Sequence, residues 1–252
     1  MNECIAQCAL LVELVNEKRT LLPSDCNHAR DLCLKLSQLT LDLKDLPESA
    51  ITETPGMMRR IMLYSNENIE IRAHIFNDGC EETYIHNHGQ AFITTCLQGG
   101  YVHKIWQVNG KRGVQFYEHN RAPGGVYQVQ ENTAVNVGNL VDNVVSHPFA
   151  SGQSLYIGDL AQHTVGECSD QLVTLVIRDK VKTAGGSTIL SLTETMEEGK
   201  AELVQPIVGD EDRKETVQLF NEALSSYRRA TREAEHEVCF DSPLKVIFGL
   251  HT

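Results

Sequence analysis

The chain has 252 residues and a formal charge of −12 at neutral pH, with 41% hydrophobic and 22% charged residues. This composition supports a folded domain with a substantial core, and the acidity argues against nucleic acid or an anionic membrane surface as a partner. No basic signal-peptide start is apparent, and no apolar run approaches the length of a membrane span. We therefore expect a soluble, cytoplasmic protein.

The first 54 residues predict a pair of helices that packs on the outside of a sheet. One apolar stripe at helical spacing consists of Ile5, Cys8, Val12 and Val15. A second stripe consists of Leu32, Leu36, Leu39 and Leu43. Pro47 and Pro55 then mark a connecting loop. A helical hairpin standing alone is the alternative arrangement.

From about residue 55 to residue 183 the pattern changes to short β-rich runs separated by turn signals. In residues 69–76, apolar side chains alternate with polar ones along most of the run. Further strands are predicted at residues 83–88, 91–97, 101–108, 114–118, 125–129, 133–137, 154–157 and 171–177. Many short strands at close spacing indicate a mainly β fold, either a barrel or a double-sheet jelly roll.

Residues 184–252 form a C-terminal extension of different composition. Charged residues dominate between residues 210 and 238, and the apolar positions keep helical spacing at Val217, Phe220, Leu224 and Tyr227. This pattern predicts an amphipathic helix that docks on the barrel or on a second subunit, so a homodimer is one arrangement it could serve.

Eight cysteines are scattered along the chain at uneven spacings. In a long chain in a reducing compartment, such cysteines are expected to be small buried apolar side chains. Cys4 and Cys8 lie four residues apart in a predicted helix, which would also suit a metal or a disulfide. No second cysteine pair completes a zinc site, so we predict simple packing.

Two histidines, His86 and His88, end a predicted strand and so point to the same face, because strand side chains alternate. A third histidine from another strand would complete a metal site of three nitrogens with open positions for substrate and oxygen. His163, at another predicted strand boundary, is the candidate, and His147 is the alternative. A lone H-x-H pair is a weak signal, and this one gains weight from its strand context.

The spacing around these histidines resembles the two motifs of the cupin superfamily. The first motif is G-x5-H-x-H-x3/4-E-x6-G, and the chain matches it at His86, His88 and Gly99. Two positions depart from it. Phe92 stands where the family often has its acidic ligand, and Gly79, the nearest candidate for the opening glycine, is one residue too far upstream. In the second motif, Gly152 and His163 match at the full spacing, while the chain departs from it at Gly158, Leu160 and Glu167. The resemblance covers about residues 58–180 and implies a double-stranded β-helix, that is, a jelly-roll barrel.

Without an acidic ligand, the histidine set resembles that of thiol dioxygenases of the cysteine dioxygenase type. Residues 84–88 and 156–165 look like the corresponding stretches of that family. The resemblance implies Fe(II) held by His86, His88 and His163, with a small-molecule thiol and O2 as partners. Arg60 falls where those enzymes place the arginine that binds the substrate carboxylate. The cysteine and the tyrosine–histidine pair of the animal enzymes have no counterpart at the matching positions, which leaves the substrate open.

Elementary chemistry agrees with this resemblance. Three neutral imidazoles leave the full divalent charge on iron, which favours a thiolate ligand, and a guanidinium can hold a carboxylate by two parallel hydrogen bonds. Arg72, on a central strand, competes with Arg60 for that role. His103 is a candidate acid–base group or a hydrogen-bonding neighbour of the ligands, and an ordinary strand histidine is the alternative.

The sequence therefore predicts a mononuclear non-haem iron dioxygenase that oxidises a small thiol or a related anion. The three parts are residues 1–54, 55–183 and 184–252. Two alternatives stay open: a cupin that binds a metal or small ligand without turnover, and a cupin isomerase without redox chemistry. One fold hosts many activities, so fold analogy does not choose among them.

Overall fold

The computed structural model describes residues 3–16, 21–82, 84–109, 114–120, 136–180, 187–191 and 204–237. Three α-helices lie in these ranges: α1 (Glu3–Asn16), α2 (Cys26–Leu36) and α3 (Asp210–Glu237). Short 3-10 turns occur at Pro23–Asp25, Leu43–Asp45 and Glu48–Ala50. None of the helices in the described ranges is long and apolar enough to cross a bilayer.

Thirteen strands lie in the same ranges, and every pairing between them is antiparallel. They are β1 (Ile51–Thr54), β2 (Met58–Ser65), β3 (Ile69–Phe76), β4 (Ile85–His86), β5 (Phe92–Gln98), β6 (Gly100–Asn109), β7 (Val114–Asn120), β8 (Asn136–Ala150), β9 (Ser154–Ile157), β10 (His163–Gly166), β11 (Val173–Asp179), β12 (Thr188–Ser191) and β13 (Gln205–Pro206).

The strands form two sheets. The first has seven strands in the order β13-β1-β2-β3-β11-β5-β9, and the second has six in the order β10-β4-β12-β7-β8-β6. The second sheet closes on itself because β6 pairs with β8 on one side and with β10 on the other. The mainly β prediction, with a helical pair before the strands and a helix after them, is confirmed.

The largest apolar core lies between the seven-stranded sheet and the helices. On β3, the residues at positions 69, 71, 73 and 75 belong to this core, together with leucines of α2 and the apolar side of α3. The other face of the same strand carries Glu70, Arg72 and His74, which line a cavity. The predicted alternation is therefore correct, and its polar side faces the interior of the molecule.

The C-terminal helix packs on the outer face of the seven-stranded sheet. Val217, Phe220, Leu224 and Tyr227 are all buried and join the core. Docking on the same chain therefore accounts for the apolar side of this helix, and the homodimer stays a prediction.

The second predicted helical stripe is longer than the helix itself. Helix α2 ends at Leu36, whereas the apolar spacing continued to Leu43. Beyond the helix end, the Asn221 side chain on α3 accepts the N–H of Leu41 at 2.9 Å and donates to its carbonyl at 2.9 Å. These two tertiary bonds hold the backbone at Leu41 on α3 and take the place of continued helix. In α1, Cys4 and Cys8 are buried, and Ile5 is only half-buried.

Three strands lie outside residues 55–183, namely β1, β12 and β13. Strand β8 runs from Asn136 to Ala150, well past the predicted strand at 133–137, and the strand predicted at 125–129 falls outside the described residues. The seven cysteines in the described part are buried and are not joined in disulfides, as predicted, and Cys239 falls outside that part.

Candidate metal centre

Asn87 determines where the two neighbouring histidines point. Strand β4 ends at His86, and the next residue, Asn87, is bound to β12 by its backbone N–H and by its side chain. Its Nδ2 donates to Thr188 Oγ1 at 2.8 Å, and its Oδ1 accepts the N–H groups of Thr188 and Gly89, each at 3.1 Å. With Asn87 held at β12, His86 and His88 on either side of it both line the cavity.

His163 comes to the same place from another strand. It begins β10 and lies directly opposite His86 in the register. The preceding residue, Gln162, donates from Nε2 to Thr188 Oγ1 at 3.0 Å. Thr188 Oγ1 therefore accepts two hydrogen bonds, one from Asn87, which follows His86, and one from Gln162, which precedes His163.

The three imidazoles form one compact group. Their ring centroids are 4.6 Å apart for His86 and His163, 4.8 Å for His86 and His88, and 5.0 Å for His88 and His163. One ring nitrogen from each lies within 4.8 Å of the others, so a single ion can contact all three.

Hydrogen bonds at Nδ1 of His86 and His163 leave the Nε2 atom of each ring available to a metal. His86 Nδ1 lies 3.0 Å from the Tyr84 carbonyl and His163 Nδ1 lies 2.9 Å from the Ala161 carbonyl. A carbonyl only accepts, so each Nδ1 carries the hydrogen and each Nε2 keeps its lone pair for a metal. Burial, together with the nearby His86 and His103, holds the pKa of His163 well below its ordinary value. A neutral imidazole is the form that binds a metal.

The group stands in the wall of a cavity of about 620 Å³ between the two sheets. That volume is in the usual range for small-molecule sites. Arg60, Arg72 and His103, each predicted as a site residue or a competitor, also line it. His147 pairs with His103 through the backbone, and its side chain lies outside the described part of the chain, so the alternative third ligand stays a prediction.

Aromatic side chains surround the histidines. The Phe92 ring centroid lies 5.1 Å from that of His88 and 5.6 Å from that of His163. His103 is buried and stacks on His163 at 5.1 Å with an interplanar angle of 23°. Tyr101 follows at 5.9 Å from His103 and lines the same cavity. Sequence reasoning did not select Tyr101, although its spacing of two from His103 on one strand was visible.

Sequence reasoning also missed a carboxylate beside the ligands. Glu82 Oε1 lies 3.9 Å from His86 Nε2, while its Oε2 accepts the N–H of Val165 at 2.7 Å. The cupin motif places its acidic ligand after the H-x-H pair, and Glu82 precedes that pair. Only the pairing of this segment with β10 brings it to the site, as the bond from the Glu82 N–H to the Val165 carbonyl shows.

A further group of charged residues lines the cavity on the seven-stranded sheet. Glu70 accepts from both Arg72 and Arg178, which reach it from β3 and β11. Next to them, burial and the positive charges of Arg60, Arg72 and Arg178 hold the pKa of His74 well below its ordinary value. In the sequence, the alternation of polar and apolar residues in β3 indicated that one face of this strand is polar, and that face lines the cavity.

No protein-family model matches this sequence, and comparison with curated proteins finds no match. Among solved structures, it is similar to an RmlC-like cupin from Shewanella frigidimarina, with 14% identity over 53% of this chain and 85% of that chain and a TM-score of 0.32. A cupin domain from Bordetella pertussis has 15% identity over 51% of this chain and 98% of that chain, with a TM-score of 0.29. The DMSP lyase DddQ from Ruegeria pomeroyi has 11% identity over 56% of this chain and 54% of that chain, with a TM-score of 0.33. At these identities the similarity concerns the fold alone.

Proposed function

We propose that this protein is a mononuclear metal-dependent enzyme, and more specifically a non-haem iron dioxygenase that acts on a small thiol or a related anionic molecule. The observation that carries the proposal is the three-histidine group in the wall of a cavity of about 620 Å³, with nitrogen donors within 4.8 Å of one another. Imidazole donors suit iron, and structural zinc sites are usually closed and rich in sulfur.

In this proposal His86, His88 and His163 hold Fe(II). The bound iron supplies the one-electron chemistry with O2 that side chains lack. Arg60 in the cavity wall orients a carboxylate of the substrate by two parallel hydrogen bonds. Phe92 packs against His88 and His163 and keeps water from that side, while His103 holds or releases a proton at a ring nitrogen.

The proposed location is the reducing cytoplasm, and the seven buried cysteine thiols of the described part, which form no disulfides, support it. Substrate and O2 are the proposed partners.

A second candidate function rests on Glu82. A carboxylate 3.9 Å from His86 Nε2 could accept a proton from a substrate held beside the three histidines, and such a base would suit an isomerase without redox chemistry. Such an enzyme would work with zinc or nickel and in the absence of oxygen.

Elemental mass spectrometry of the purified protein, followed by oxygen uptake with a panel of small thiols, tests the proposal. We expect near-stoichiometric iron in the wild type, its loss in His86→Ala, and its retention in His28→Ala, which removes a histidine of α2 that does not line the cavity. Oxygen uptake with any thiol supports the dioxygenase. Zinc or nickel without oxygen uptake favours the isomerase, and no metal in the wild type after anaerobic reconstitution refutes both.

A further inference from the structure

Two cysteine thiols that are far apart in the sequence meet in the fold and are not joined in a disulfide. The side chains of Cys80 and Cys168 interact directly with each other, and both belong to the same apolar cluster. Cys80 precedes His86 in the chain, and Cys168 follows His163. Neither cysteine lines the cavity, so the pair lies outside the proposed metal site.

Hydrogen bonds join the two segments on either side of this cysteine pair. On one side, the Glu82 N–H donates to the Val165 carbonyl at 2.9 Å, and the Val165 N–H donates to Glu82 Oε2 at 2.7 Å. On the other side, the Gln171 N–H donates to Asp78 Oδ1 at 3.2 Å. Asp78 and Glu82 flank one cysteine of the pair, and Val165 and Gln171 flank the other. The two segments therefore run antiparallel and place the cysteines opposite each other.

The loop that carries Cys168 is held in an uncommon backbone conformation. Glu167 has a φ of +54° and Gln171 a φ of +56°, in the left-handed region that residues other than glycine rarely adopt. Gln98 Nε2 donates to the Gln171 side chain at 2.9 Å and helps to hold this conformation. Contacts between segments therefore fix the position of Cys168 before any covalent bond forms.

The pair differs from the other described cysteines in exposure and in acidity. Cys80 and Cys168 are 8% and 7% exposed, whereas each of the other five is at most 1% exposed. The interaction with the Cys168 thiol holds the pKa of Cys80 below its ordinary value, although burial and nearby carboxylates oppose this effect. The same interaction and burial raise the pKa of Cys168. Burial also raises the pKa of the other five thiols, namely Cys4, Cys8, Cys26, Cys33 and Cys96. Because the thiolate is the reactive form, Cys80 is the described thiol that an oxidant attacks most readily.

We propose that Cys80 and Cys168 form a reversible disulfide when the protein is exposed to a peroxide, and that this bridge locks the segment before β4 to the segment after β10. Strands β4 and β10 carry His86 and His163, so the bridge restrains the two strands against separation. The inference goes beyond the proposed function and does not depend on a bound metal.

The reaction has two steps. The Cys80 thiolate attacks one oxygen of hydrogen peroxide, the O–O bond breaks, and the departing hydroxide takes a proton from solvent to become water. Cys80 is then a sulfenic acid. The Cys168 sulfur attacks the Cys80 sulfur, the S–O bond breaks, and the departing hydroxide takes the Cys168 proton as a second water. The two sulfurs are oxidised by two electrons in all, and a dithiol reverses the bond by thiol–disulfide exchange.

Treatment of the full-length protein with one equivalent of hydrogen peroxide tests the proposal. The protein is first reduced and freed of metal with a chelator, so that iron chemistry does not contribute. We expect the intact protein to lose the mass of two hydrogen atoms, and digestion without reductant should give the Cys80–Cys168 peptide pair as the main crosslink. Because the bridge closes a long loop of chain, the thermal midpoint should be at least about 5 °C higher than after dithiothreitol is added to the same sample.

Two substitutions separate the roles of the two thiols. In Cys168→Ser, oxidation of Cys80 should stop at a sulfenic acid that dimedone traps, and no crosslink should form. In Cys80→Ser, Cys168 should remain a thiol. Cys26→Ser, which alters a 1% exposed cysteine at the start of α2, should oxidise like the wild type. Oxidation of Cys168 in Cys80→Ser at the wild-type rate overturns the assignment of Cys80 as the attacking thiol.

The wild-type measurements decide the proposal even if a substitution prevents folding. A main crosslink between other cysteines, or no crosslink, overturns it. A thermal midpoint that the bridge leaves unchanged or lowers overturns the lock. Since the measurements use metal-free protein, their failure leaves the three-histidine proposal standing, and a failure to bind iron leaves the disulfide standing.

Discussion

Replacing Asn87 with alanine removes the side chain that directs the histidine pair into the cavity. Asn87 is buried and makes three side-chain hydrogen bonds, one to Thr188 Oγ1 and two from the N–H groups of Thr188 and Gly89. At about 1 kcal/mol each, their loss lowers the free energy of unfolding by about 3 kcal/mol. Hydrogen bonds that position metal ligands also set the orientation of those ligands. Loss of the Asn87 bonds should therefore lower the metal affinity roughly 10- to 100-fold.

Urea denaturation of the metal-free protein measures the first effect, and competition with a chromophoric chelator measures the second. Asn87→Asp is the companion variant: its oxygens still accept both N–H groups, but it loses the donor to Thr188 and brings a carboxylate to a buried position, so it should lose at least about 1 kcal/mol. Asn27→Ala, at an exposed position of α2, controls for loss of an amide as such. A loss below about 1 kcal/mol in Asn87→Ala, with unchanged metal affinity, would refute the reasoning.

Three further predictions concern the scaffold. Phe220→Ala empties a fully buried site between α3 and the sheet and should lower the free energy of unfolding by about 3–5 kcal/mol in urea. Burial raises the pKa of Asp179 to about 6. The folded protein therefore keeps a proton that the unfolded chain releases near pH 4, and stability should fall by up to about 3 kcal/mol as pH rises from 4 to 6, a fall that Asp179→Asn removes. Gly99→Ala should cost about 2 kcal/mol or more, because Gly99 has a φ of +77° and a Cβ would lie 2.5 Å from Ser169 Oγ.

Each of these predictions has an outcome that would contradict it. Gln218→Ala, on the exposed side of α3, should stay within about 0.5 kcal/mol of the wild type, and an equal loss in Phe220→Ala would mean that α3 does not pack as described. An unchanged pH slope in Asp179→Asn contradicts the raised pKa. A melting temperature for Gly99→Ala equal to that of the wild type contradicts the tight turn.

Local patterns in the sequence were enough to place much of the fold. The alternation in β3 and the helical spacing on α3 both predicted the buried side correctly, because each depends on a period of two or 3.6 residues within one element. The predicted strand at 154–157 has the same bounds as β9. His86, His88 and His163 were found in the same way, since H-x-H spacing and strand boundaries are local features.

Contacts between distant parts of the chain could not be predicted. Strand β1 lies within the predicted proline-bounded loop and exists through its pairing with β2 and β13. Glu70 and Arg178 are 108 residues apart and meet only because β3 and β11 are neighbours. A hydrogen bond from the Glu82 N–H to the Val165 carbonyl places Glu82 beside the proposed ligands, and no local pattern in its segment predicts this bond.

Strands β3, β5 and β11 serve two purposes on their two faces. Their outward side chains build the apolar core with the helices, and their inward side chains line the polar cavity. Several inward side chains, Phe76, Phe92 and Val176 among them, also form a second apolar cluster. A substitution at a polar inward position such as Thr174 therefore leaves both apolar clusters intact. This separation makes the scaffold evolvable at its polar inward positions, where the cavity wall can change while the core that holds the helices stays the same.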